Sequence, residues 1–204
     1  MDGVIWPSVT QLLQEAKLID YSSVPKDILE KKRILGTRVH AATVLLDNCE
    51  LDEEHFNSKF PECIPYLEAY RKFRIIETFD QCEVKSGRMF STQYKYHGEP
   101  DEHGIRIITK GQEHYLIDYK CTWSMFKSTG AQLSGYEILL KENFKIKINK
   151  RLGLLLLPTG NYELTDFQDK NDKQDFLACL FLWWQRVNKY KTLKPEKSME
   201  GTNV

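Results

Sequence analysis

The chain of 204 residues has no surplus of charge of either sign, with 29 basic side chains against 29 acidic ones. This removes the simplest argument for a polyanion-binding protein, a strongly basic chain, so any phosphate-binding surface must be local. It also has no long hydrophobic run. The longest, Leu152–Leu157, contains a glycine and stops at Pro158, far short of the roughly 20 apolar residues needed to cross a bilayer. No membrane role is expected. No basic patch precedes an apolar stretch after Met1-Asp2-Gly3, so no secretory signal is expected and the cytosol is the expected compartment. Cysteine is sparse: Cys49, Cys63, Cys82, Cys121 and Cys179 are five, an odd number, with no C-x-x-C pair. Neither a disulfide framework nor a zinc ribbon is indicated, and reduced thiols are expected. His97, His103 and His114 lie near Cys121 in sequence but at spacings that fit no common zinc pattern. Internal repeats, low-complexity tracts and an interdomain linker are absent too.

What is present is ordinary globular material, 41% hydrophobic and 12% aromatic. Ser8-Val-Thr-Gln11 has the form of a capping box before an apolar stripe, which predicts a helix over 8–18. Pro25 suits a first helical position. Ile28, Lys32, Leu35, Val39, Ala42 and Leu46 then recur in steps of three and four, predicting a helix over 26–47 interrupted only by Gly36. The acidic stretch 51–62 reads as a connection, and Tyr66, Leu67, Tyr70, Phe73 and Ile76 give a third helix. From Cys82 to Cys121, β-branched and aromatic residues alternate with polar ones between glycines, the signature of strands and hairpins. A helix over 131–141, strands over 145–157 and 162–164, and a helix over 172–189 complete the pattern, with 191–204 expected to fray. The order predicts one α/β (α+β) domain over 1–190, with a mixed central sheet flanked by helices. Its parts are a helical section 1–80, a core 81–165 and the last helix 172–189.

The most informative stretch runs from Gly98-Glu-Pro-Asp101 to Asp118-Tyr-Lys120. Lys110-Gly-Gln-Glu113 is a hairpin turn by composition, which pairs residue 118 near 105 and sets 101 opposite about 122. Side chains two apart on a strand share a face, so Asp118 and Lys120 point together with Leu116 inward, while Tyr115, Ile117 and Tyr119 take the other face. An Asp-x-Lys triplet alone is most often a strand-end ion pair. Here a second carboxylate falls at the same end of the hairpin. Two acidic groups where an apolar strand emerges suit a hard, oxygen-loving ion such as Mg²⁺.

These residues resemble the PD-(D/E)XK nucleases, and within them the RecB-like and phage-exonuclease branch. That branch carries a Gly-x-x-Val-His helix, a Gly-x-Pro-Asp turn, an Asp-x-Lys strand and a Gln-x-x-x-Tyr helix, in that order. Here they read Gly36-Thr-Arg-Val39-His40, Gly98-Glu-Pro100-Asp101, Asp118-Tyr-Lys120 and Gln132-Leu-Ser-Gly-Tyr136. The resemblance implies a restriction-endonuclease-like core and a Mg²⁺-dependent deoxyribonuclease, an exonuclease of phage or recombination type, with Mn²⁺ able to substitute. It implies Asp101, Asp118 and Lys120 as catalytic residues. It gives His40, Asp101, Asp118 and the carbonyl of Tyr119 as metal ligands, and Gln132 and Tyr136 as substrate contacts or residues that orient the lysine. Relatives that hold an iron–sulfur cluster have a closely spaced C-terminal cysteine group; here only Cys179 lies beyond Cys121, so no cluster is expected. A phage-encoded protein of this kind would work in the host cytosol.

DNA is the expected partner, with a second copy of the chain or a recombination protein as a further one. Two basic stretches, Lys31-Lys32-Arg33 and Lys141–Arg151, are candidate phosphate contacts, and Trp123 and Phe126 are either core residues or stacking surfaces for bases. A nuclease-fold DNA-binding or assembly module without cleavage is the alternative reading; hydrolysis of a non-nucleic phosphoester is the third.

Overall fold

The computed structural model describes residues 6–83, 87–99 and 105–189. Six α-helices and seven strands occur among them: α1 (Val9–Glu15), α2 (Lys26–Asp47), α3 (Glu53–Lys59), α4 (Ile64–Glu77), β1 (Gln81–Glu83), β2 (Met89–Ser91), β3 (Tyr96–Gly98), β4 (Ile105–Lys110), β5 (Glu113–Lys120), α5 (Ser128–Phe144), β6 (Lys150–Leu156), β7 (Tyr162–Asp166) and α6 (Asp172–Lys189). Five strands form one sheet in the order β1-β4-β5-β6-β7, and β2 pairs with β3 separately. All pairings are antiparallel except β5 with β6, which run parallel. A parallel neighbour requires a crossover, and α5 provides it. The result is a mixed α/β fold with a central sheet flanked by helices, consistent with a restriction-endonuclease-like architecture.

Strand alternation divides the interior into two cores, one on each face of the sheet. On one face Ile105, Ile107 and Leu116 pack with α1, α5, α6 and the β2–β3 hairpin. On the other, Ile108, Tyr115, Ile117 and Tyr119 pack with Val39 of α2 and Tyr66, Ala69, Tyr70 and Phe73 of α4. The hairpin register pairs Ile105 with Asp118, as the turn composition predicts. Ser8 Oγ caps α1 by accepting from the Gln11 amide at 3.1 Å.

Several local expectations need correction. The stretch read as a connection contains α3 and a short 3-10 turn, Pro61–Cys63. Asp52 caps α3 and Glu53 and Glu54 occupy its positive end, but the helix buries no residue, so no apolar stripe announced it. Pro25 is the N-cap of α2 rather than its first residue. Helix α5 runs on to Phe144, and Lys145 ends it in the left-handed conformation. The sixth strand therefore starts at Lys150, not 145; Ile146 and Ile148 alternate with lysines there and imitate a strand. Ile28, at the start of the α2 stripe, is exposed, because the first turns of that helix project beyond the core.

Candidate active site

Asp118 and Lys120 sit at the carboxyl end of β5, on the face that α5 covers. The β4 pairing of β5 reaches Ile105–Asp118, and β6 pairs on through Tyr119 and Lys120, so among the described residues only one neighbouring strand accompanies the last two positions. Asp118 is fully buried, whereas Lys120 keeps 25% of its side chain exposed, and the ammonium stands 3.0 Å from Asp118 Oδ2. Among the described residues Oδ1 of Asp118 accepts no hydrogen bond. Burial pushes the carboxyl up to about 6, against the opposing pull of Lys120. A buried carboxylate oxygen without a donor is costly in the absence of a ligand. Such an oxygen fits a carboxylate that takes a cation, and Asp118 and its lysine therefore suit a divalent-metal site.

The other expected residues arrive unevenly. Asp101, with Pro100 and residues 102–104, lies outside the described residues. No three His, Cys, Asp or Glu side chains among the described residues converge as a metal-holding group. His40 lies on α2. Its carbonyl accepts from Arg106 Nη2 at 3.0 Å, and Arg106 pairs in register with Ile117, one residue before Asp118. This anchors the α2 backbone at His40 to the β4–β5 hairpin. No part of the described protein approaches Gly36, one turn before the histidine: a Cβ there would meet nothing within 4 Å. Tyr119 turns its ring to the opposite face, against Tyr70 and Phe73. Gln132 and Tyr136 are both buried on α5, so neither offers its side chain to solvent. Tyr136 instead meets the turn motif: a Cβ on Gly98 would stand 2.7 Å from Cε1 of its ring and 2.8 Å from Leu139 Cδ1. Two of the four motif segments thus touch at a position where any side chain would force its neighbours to shift.

Arg106 is the residue that the sequence reading overlooked. It is 2% exposed and contacts Asp47, the Tyr70 hydroxyl, the His40 carbonyl and Thr43 Oγ1, with its guanidinium 4.5 Å from the Tyr119 ring centroid. The available signal was an arginine inside the β-branched run Ile105–Ile108, a position that needs buried partners.

The two basic stretches also separate. Lys150 pairs in register with Tyr115, at the opposite end of β5 from Asp118, and Lys141–Lys147 lead into that end. That stretch cannot line the site. Arg151 is internal, held by Asp172 at 3.0 Å and by the carbonyls of Gly130 and Asp169. Lys32 lies at the correct end, its Nζ 4.9 Å from the Trp123 ring centroid.

No family model matches the chain, and no curated protein matches its sequence. Among solved structures, the fold is similar to the crystal structure of a "putative exonuclease" from Eubacterium rectale, with a TM-score of 0.51 and 11% identity. The match covers 75% of this chain and 66% of that one. At that identity the likeness is one of fold. Among the described residues no helix is long and apolar enough to cross a membrane.

Proposed function

We propose that the chain is a metal-dependent DNA nuclease of the PD-(D/E)XK kind, an exonuclease of phage or recombination type. The observation that carries the reading is the buried Asp118 carboxylate with an unfilled oxygen and Lys120 at 3.0 Å, at the end of a strand in a nuclease-like fold. Asp118 would hold Mg²⁺ or Mn²⁺ together with Asp101, four residues before the register partner of Asp118, and with His40 and the Tyr119 carbonyl. When bound, such an ion supplies an acidified water and neutralises charge on a phosphodiester. Lys120, three-quarters withdrawn from solvent, would orient that water and offset charge that builds on the phosphate. A cation held by Asp118 would compete with Lys120 for the carboxylate and leave the ammonium available for this role. Gln132 and Tyr136 act from behind, as positioning residues on α5, and α2 carries His40 across under the control of Arg106.

The test is incubation of end-labelled linear and circular DNA with Mg²⁺, Mn²⁺ or EDTA. Linear DNA is expected to be degraded only with metal, and Asp118→Asn and Lys120→Ala each to lower the rate by at least about a hundredfold, the scale of a lost acid–base group. Digestion at the wild-type rate by folded Asp118→Asn protein would overturn the assignment.

A further inference from the structure

The segment between β5 and α5 has a built conformation with no evident role in the fold. Its inward residues are Cys121, which is buried, and Met125, whose side chain would lie 2.8 Å from a Cβ placed on Gly153. Thr122 Oγ1 donates to the Ser124 carbonyl at 3.0 Å, closing the turn between these anchors, and the Phe126 carbonyl accepts from the Thr129 amide at 3.0 Å as α5 begins. Pinned in this way, the segment turns its aromatic residues outward. Trp123 is 78% exposed and Phe126 48%. Core packing, one of the two expectations for these residues, is excluded by these values.

Exposed as it is, Trp123 is not left to water alone. The Lys32 ammonium from α2 lies 4.9 Å from its ring centroid, a cation–π contact across two elements distant in sequence. The contact brings Lys32 beside the segment that directly follows Lys120 at the end of β5. Lys31 and Lys127 are exposed nearby in sequence, and neither forms an ion pair among the described residues. Two residues, Cys121 and Thr122, separate Trp123 from Lys120, at most about 10 Å of chain, a span of roughly three stacked bases at about 3.4 Å each. An exposed aromatic ring with one cation against it and further lysines close by in sequence is a composition that binds unpaired nucleic acid, and charge complementarity favours that occupant over an apolar protein face.

We propose that Trp123, backed by Lys32, is a stacking platform for an unpaired base at the mouth of the Asp118–Lys120 site, so that the substrate class is a DNA end with single-stranded character. The inference rests on the nuclease reading for the identity of the substrate. The base stacks on the ring while Lys32 and Lys127 meet the flanking phosphates. A blunt duplex offers the ring only the outer face of a terminal pair that is held in the helix, and no unpaired base that can turn onto it.

The full chain carrying Asp118→Asn, in EDTA, is titrated with an oligonucleotide duplex bearing a short single-stranded overhang with 2-aminopurine at its first unpaired position, and with a blunt duplex. Binding to the overhang is expected to quench the fluorescence. Trp123→Ala should remove the quench and weaken overhang binding by about tenfold, within the range for one lost stacking contact. Blunt-end affinity should change by less than about twofold, and Trp123→Phe should restore most of the loss. An undiminished quench in folded Trp123→Ala protein would overturn the platform, as would equal weakening on both ends. So would sedimentation showing that Trp123→Ala dissolves a dimer without affecting DNA, since the ring would then meet a second copy. The two readings fail separately: cleavage that ignores Trp123 removes the platform and leaves the nuclease, whereas a Trp123-dependent quench in a protein that cuts no DNA does the reverse.

Discussion

Arg106 and Asp118 are both buried charges on neighbouring strands, one on each face of the sheet, and their surroundings differ in kind. The guanidinium of Arg106 is satisfied from two helices, by a carboxylate, two hydroxyls and a backbone carbonyl, and lies against an aromatic ring. Asp118 has one partly exposed ammonium and an oxygen with no donor among the described residues. A buried charge that is fully paired holds a structure together; one left partly unpaired has been kept at a cost in stability for another use. The contrast supports the role proposed for Asp118 more sharply than burial alone, because both residues are equally hidden.

The largest effect that tests the contrast is the loss of Arg106. Arg106→Ala leaves Asp47, which is only 14% exposed, with the Tyr70 hydroxyl and the more distant Arg74, and unties α2 from the hairpin. Unfolding in denaturant should report a loss of about 3–5 kcal/mol, the usual consequence of removing one partner of a buried pair. A loss below about 1 kcal/mol would mean that Arg74, 3.4 Å from Asp47 Oδ1, takes over the pairing.

Asp118 should respond with the opposite sign. The rise of its pKa from an ordinary 3.8 to about 6 corresponds to about 3 kcal/mol at neutral pH, taken as an upper bound. The folded state holds this proton more tightly than the unfolded chain. Its contribution to stability is therefore complete below about pH 4 and is lost as pH rises through about 6. In EDTA, Asp118→Asn should be more stable than the wild type at pH 7.5, by up to that amount. The gap should close near pH 4. Thermal unfolding across this range checks both the sign and the window, and an Asn variant that is less stable at pH 7.5 would show that the Lys120 pair outweighs burial.

This difference between paired and unpaired charge also marks what the sequence could disclose. The register that sets Ile105 against Asp118, the shared face of Leu116, Asp118 and Lys120, and the extents of α2 and α6 all follow from local rules: turn composition, strand alternation and apolar spacing. Local rules stop at partners. Nothing in Ile105-Arg-Ile-Ile108 names Asp47, Tyr70 and Thr43 as the groups that satisfy Arg106, because these come from 36 to 63 residues away and from helices whose docking angle is a tertiary outcome. The same limit misplaced the basic stretch at Lys141–Arg151. Its charge pattern was visible, but which end of β5 the start of β6 lies beside depends on the parallel crossover through α5. Helix α3 escaped for a different reason, since a helix that buries nothing leaves no periodic trace.

The two motif glycines carry the comparison to its finest scale. A Cβ at Gly98 would overlap the rings and methyls of Tyr136 and Leu139 at 2.7 and 2.8 Å, and overpacking of this kind costs about 1–3 kcal/mol. Gly98→Ala should therefore lose stability and loosen the contact between the turn before Asp101 and the helix of Gln132 and Tyr136, lowering cleavage with it. Gly36 lies inside α2 with nothing within 4 Å of a Cβ. Alanine at such a helical position gains about 0.5–1 kcal/mol, so Gly36→Ala should raise the unfolding midpoint. Packing therefore explains one glycine and not the other. If Gly36 is kept for the approach of substrate beside His40, Gly36→Ala will be more stable yet slower on DNA, a split that no folding defect produces. If stability and cleavage rise or hold together, the glycine has no part in the site and its place in the Gly-x-x-Val-His motif is incidental.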